Sequence, residues 1–99
     1  MKKFMAIGRH GPVDPGEARR YVEAALAWIP QRLADGSFDC VYSLHGGGRL
    51  VIANADSDDA LRALLDSAPD VPRDWQITEL YDGVQVLRDY LASLESAAS

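Results

Sequence analysis

The chain of 99 residues has one cysteine, two histidines and no long apolar run. A lone thiol, Cys40, excludes an intramolecular disulfide and any cysteine-rich metal site, and its place in an apolar segment predicts a small buried side chain. Nothing approaches the ~20 consecutive apolar residues of a membrane span. The start lacks the charged, apolar and small-residue succession of a signal peptide, so the chain reads as cytosolic with no membrane partner. Positive charge is scarce too. Ten Lys and Arg stand against fifteen Asp and Glu, a net charge of −5, and the arginines are scattered along the chain. That balance repels phosphate backbones, and no nucleic acid partner is expected.

Apolar residues, by contrast, make up 47% of the chain. This is enough for one domain with a core, but in so short a chain extra burial by self-association would add to stability. The run Lys2–His10 alternates Phe4, Ala6 and Gly8 with Met5, Ile7 and Arg9, which predicts a strand apolar on both faces. Asp14 followed by Pro15, with Glu17 three residues on, is a helix start with a capping-box pattern. From there Ala18, Tyr21, Val22, Ala25, Leu26, Ile29 and Leu33 form one apolar stripe, and Gly36 supplies the stop. Pro30 predicts a kink or break beside Trp28.

Two further apolar runs, Ser37–Leu44 and Arg49–Asn54, flank His45 and three consecutive glycines. As the oxyanion segment of an α/β-hydrolase these glycines would need a G-x-S-x-G elbow and a longer chain. As a phosphate loop they would need to run into a helix, whereas the residues from Arg49 onward are strand-like. They read as the turn of a β-hairpin, placed where positive φ angles are required, with His45 and Arg49 left as candidate rim residues of a site.

A second helix opens at Asp56 or Ser57, buries Leu61, Leu64 and Leu65, and is closed by Pro69 and Pro72. Its acidic start, Asp56, Asp58 and Asp59, lacks the pattern of a calcium loop and reads as helix capping. A fourth strand follows over Asp74–Tyr81, then a terminal helix capped by Asp82. The expected organisation is one domain over residues 1–94, with a disordered tail at 95–99. The order β-α-β-β-α-β plus a helix is that of an α+β, ferredoxin-like sheet of order 4-1-3-2. Helices cover one face of such a sheet. The other face is also apolar, and a second copy of the chain is its expected cover, making a homo-oligomer of at least a dimer.

The stretch Leu33–Leu80 resembles the muconolactone isomerase family, within the wider dimeric α/β-barrel group. The resemblance lies in Gly36, Ser37 and Phe38 after a helix end, a hairpin glycine, the run Ala55–Ser57 with Ala60, Leu61 and Leu64, and a proline-bounded loop before Ile77 and Leu80. It extends weakly to Val13–Pro15. It implies the βαββαβ fold, sheet-to-sheet dimers forming a dimeric α/β barrel, and a cofactor-independent proton shift on a small lactone acid from aromatic degradation. No catalytic residue carries over from the family.

A proton shift on such an acid needs a base, a proton donor, and a cation for the carboxylate or the developing enolate. Sorting the strand ends puts Arg9, His10, Asp39, Asn54 and Trp75 on one rim and His45, Arg49, Glu79 and Tyr81 on the other, with the histidines about 15–20 Å apart. At that separation no metal is expected between them. On the first rim His10 is the candidate base and Arg9 the candidate cation, with Tyr21 and Trp28 as wall; on the second, His45 or Glu79 is the base and Arg49 the cation. Tyr42 joins the candidate substrate-binding residues. No cofactor is expected, since neither histidine projects from a helix as a haem ligand would. Two readings stand: an isomerase-like enzyme acting on a small lactone or aromatic-derived acid, and a non-catalytic homo-oligomer that binds a small ligand or assists a partner enzyme.

Overall fold

A computed structural model describes residues 1–70 and 72–98. Its order is β1 (Lys2–Gly8), α1 (Pro15–Ala34), β2 (Phe38–Ser43), β3 (Arg49–Ala55), α2 (Asp58–Asp66), β4 (Trp75–Leu80) and α3 (Gly83–Ala98). The four strands form one antiparallel sheet in the order β2-β3-β1-β4, so the fold is α+β and compatible with a ferredoxin-like arrangement.

The helix starts follow from side chains that take the first free backbone amides. Asp14 accepts from the Gly16 amide at 2.8 Å, and Ser57 from the Ala60 amide at 3.1 Å. Glu17 does not close a capping box over Asp14; its carboxylate meets Arg20 at 3.5 Å and the Tyr21 hydroxyl at 3.2 Å. Gly36, at φ 83°, follows the last turn of α1 in the left-handed region that an L side chain resists. α1 continues unbroken through Pro30. Likewise α3 is helical past Glu95 to Ala98, and Ser99 of the expected tail lies outside the described residues.

Register sorts the sheet faces. Phe4, Ala6, Val51 and Ala53 point to one side, where Phe38, Leu61 and Leu65 complete a core with Trp28, Trp75 and Ile77 packed at its edge. Met5, Ile7, Leu50 and Ile52 point to the other side, which no helix covers among the described residues, and remain half-buried. On β2 simple alternation fails. An irregularity between Phe38 and Cys40 inserts Asp39, so that Phe38 pairs with Ala53 while Cys40 pairs with Ile52. One extra residue reverses every later side chain. Cys40 and Tyr42 therefore lie on the outer face, opposite to Phe38, and Val41 takes the inner one.

α3 stands apart. Every residue from Gly83 through Ala97 is exposed, including Val84, Leu87, Tyr90, Leu91 and Leu94, and the projecting helix stretches the molecule to 66 Å.

Candidate functional site

The strand-end sorting from sequence is corrected by the register. Gly8 pairs with both Arg49 and Trp75, and Ser43 pairs with Arg49. In a sheet whose neighbours are all antiparallel, the end of β1 shares its rim with the end of β2 and the starts of β3 and β4. His10, His45, Arg49 and Trp75 thus gather at one end. Asp39, Asn54, Glu79 and Tyr81 gather at the other. The two histidines are not at opposite rims of the sheet, and the 15–20 Å separation argued from opposite rims does not hold.

At the first end the triple glycine folds tightly over β1. Gly46, Gly47 and Gly48 have φ of 88°, 102° and 124°, and the Leu44 amide donates to the Gly48 carbonyl at 3.0 Å. A Cβ at Gly48 would lie 2.5 Å from the Gly8 carbonyl oxygen, and one at Gly47 would lie 3.6 Å from Cε1 of His10. The turn and the loop after β1 therefore form one wall.

α1 faces this wall across an open-sided cavity of about 750 Å³. Tyr21, Leu26 and Ile29 line it from the helix, Val41 and Ser43 from β2, His10 from the loop after β1, Arg49 from β3 and Asp70 from the loop after α2. The volume falls in the range of small-molecule sites, roughly 300–1,000 Å³, which are mainly apolar with a few convergent polar groups. The cavity exists because α1 does not close on the sheet. Only Ala25 of its twenty residues is buried, and Leu26 is 69% exposed.

Three polar groups set its chemistry. The Nδ1 atom of His10 is 2.9 Å from the Gly11 carbonyl. A carbonyl only accepts, so Nδ1 carries the proton and the neutral ring has its lone pair on Nε2, as a general base requires. Arg49 donates from a terminal nitrogen to Asp70 Oδ2 at 2.8 Å. Both side chains are largely buried. Asp70 Oδ1 is buried and has no hydrogen-bond partner among the described residues.

The other candidates sit elsewhere. Arg9 is exposed and does not line the cavity. Trp28 packs edge-on against Phe38 at 5.6 Å between ring centres, with Arg32 over its ring at 5.5 Å. Tyr42 is on the outer face, and His45 is exposed on the hairpin. Tyr21 does line the cavity, with its hydroxyl donating to Glu17 at 3.2 Å. At the far rim Asp39 takes bonds from Lys3 and from Asn54 at 2.8 Å, and these donors, Lys3 foremost, hold its carboxyl below the usual range. Among the described residues no three His, Cys, Asp or Glu side chains are grouped to hold a metal, and no helix is long and apolar enough to cross a membrane.

Asp70 is the residue that sequence reasoning passed over. Its signal was an acidic side chain between two prolines, Pro69 and Pro72, read only as a helix stop. Compared with protein-family models and with curated proteins, the chain matches none.

Proposed function

We propose that the cavity between α1 and the sheet binds a small oxygenated acid, lactone or aromatic-derived, and that His10 moves a proton on it without a cofactor. The observation that carries this reading is the grouping of His10 and Arg49 around one apolar cavity of about 750 Å³. Nε2 of His10 takes a carbon-bound proton and returns it at a second carbon, so that a double bond shifts with no change in composition. Arg49 holds the carboxylate or the enolate oxygen that gains charge, the role that sequence reasoning gives to Arg9 beside His10 and to Arg49 beside His45 or Glu79.

The working unit in this proposal is a homodimer. The outer sheet face presents Met5, Ile7, Leu50, Ile52 and Tyr42, and α3 presents an apolar stripe that its own body does not cover. A second copy of the chain meets both needs, because two apolar sheet faces related by a two-fold axis cover each other.

A panel of lactones, aromatic acids and quinones tests the site by thermal shift. A compound at 100 times its Kd adds about 2.7 kcal/mol, which moves the midpoint of a domain this size by several degrees or more. The compound that shifts the protein is then followed by proton NMR in deuterated water, where the enzyme exchanges its acidic C–H. His10→Ala is expected to keep most of the thermal shift and lose the exchange. No shift across the panel overturns the proposal. A shift without exchange in the unaltered protein selects the second reading, a non-catalytic binding or accessory protein, which the uncovered α3 stripe also favours.

A further inference from the structure

The cavity is larger than a single-ring acid needs, and its two ends differ in chemistry. At about 750 Å³ it lies in the upper half of the roughly 300–1,000 Å³ range of pockets that bury drug-sized molecules. The charged and titratable members of its wall, His10, Arg49 and Asp70, gather at the rim where β1 ends and β3 begins. Away from that rim the wall is apolar. α1 starts beside the His10 loop, and Ala18, Val22, Leu26 and Ile29 line the cavity along it. The helix from Ala18 to Ile29 runs about 16 Å, the length of an extended chain of roughly twelve carbons. On β2, Val41 follows Ser43 along the inner face, and Phe38, packed against Trp28, continues that face farther from the rim. A lactone ring held between His10 and Arg49 would leave most of this apolar length empty.

The charges point the same way. Arg49 is already paired with Asp70 at 2.8 Å. A ligand carboxylate that takes the remaining guanidinium N–H groups gains hydrogen bonds but meets no net positive charge in that pair. A carboxylate alone is therefore held weakly. Val22 and Leu26, by contrast, are 57% and 69% exposed on the cavity wall. Covering them contributes to binding in proportion to the apolar area removed from water. Affinity at this site comes from the apolar body of the ligand more than from its head.

We infer that the ligand is a monocarboxylic acid with an elongated apolar body of roughly ten to twelve carbons, an alkyl chain or fused rings, lying along α1 with its head at His10 and Arg49. This rests on the cavity being an acid site, and it narrows the class proposed above by size. A single lactone or benzene ring is then the head of the ligand and not the whole of it. Val22, Leu26 and Ile29 are the residues that read its length.

Calorimetric titration of the full chain with two series of acids tests the inference. One series runs from butyrate through octanoate to laurate, the other through benzoate, naphthoate and anthracenecarboxylate, each kept below the concentration at which it aggregates. Affinity is expected to rise about two- to fourfold per added CH2, fourfold being full burial. A gain in either series supports the inference, and the steeper one names the body. In Leu26→Asp the gain from the shortest to the longest acid is expected to fall by about tenfold or more, because the apolar body then meets a charge. Leu26 is exposed in the free chain, so the fold tolerates the change, and Val22→Asp reads the same wall independently. Equal affinity for short and long members of both series overturns the inference and leaves a small-acid site standing. A gain that both variants retain overturns it as well, since the body then lies elsewhere, on the outer sheet face or on α3. Failure of every acid to bind removes the cavity as an acid site, and the inference with it.

Discussion

The two helices on the inner face of the sheet differ in what they bury. α2 has nine residues and inserts Leu61 and Leu65 fully into the core, while α1 has twenty and buries only Ala25. The short helix therefore holds the domain together, and the long one stands off the sheet and leaves the cavity. Apolar residues of α1 such as Leu26 line the cavity more than they seal the core. The packed core and the open cavity thus share the same face of the sheet.

The sharpest test of that contrast is a pair of truncations. Leu61→Ala is expected to cost about 2–5 kcal/mol, the range for emptying a packed site, and Leu26→Ala under about 1 kcal/mol. Urea midpoints of the two variants measure the difference. A large cost at Leu26 would break the contrast by showing that α1 is covered in solution, with a second copy as the first suspect.

A smaller effect is expected in the wall itself. Gly48→Ala places a methyl 2.5 Å from the Gly8 carbonyl oxygen at φ 124°, and strain of this kind costs about 1–3 kcal/mol. Gly46→Ala, at φ 88° but in open space, is expected to cost about 1 kcal/mol. Thermal midpoints rank the two, and equal losses would mean that the turn does not press on β1.

The smallest effect belongs to the far rim. Because Lys3 and Asn54 bond the Asp39 carboxylate, its pKa in the folded chain lies below that of the unfolded chain, which sits near 3.8. The stabilisation is present above that value and fades as pH falls through the folded one. Thermal midpoints at low salt are expected to show Asp39→Asn below wild type at pH 7, with the gap closing toward pH 2. The group is exposed, so the gap is small and salt narrows it. A gap that widens in acid would contradict the assignment.

The elements were legible because their signals are local. Asp14–Pro15, Ser57 and Asp82 mark helix starts through bonds made within a turn, and Gly36 and the triple glycine mark positions that need positive φ. Alternation in β1 and β3 gave the buried faces. On β2 the same rule failed after Asp39, because a bulge is decided by the partner strand and leaves no mark in the alternation.

The site was legible only in parts. His10, Tyr21 and Arg49 stood out as residue types, but His10 and Arg49 were separated onto different rims, and Trp28 was read as wall where it packs on Phe38. Asp70 lies between Pro69 and Pro72, which the sequence marks only as the close of α2. The sequence by itself determined where the helices and strands run and that both faces of the sheet are apolar, since those properties depend on neighbours within a few residues. Only the tertiary structure decided that His10, Arg49 and Asp70 line one cavity, that α1 stands off the sheet, and that one oxygen of Asp70 is buried without a partner among the described residues. Antiparallel register and loop packing bring together residues 39 and 21 positions apart, and no local pattern encodes those distances.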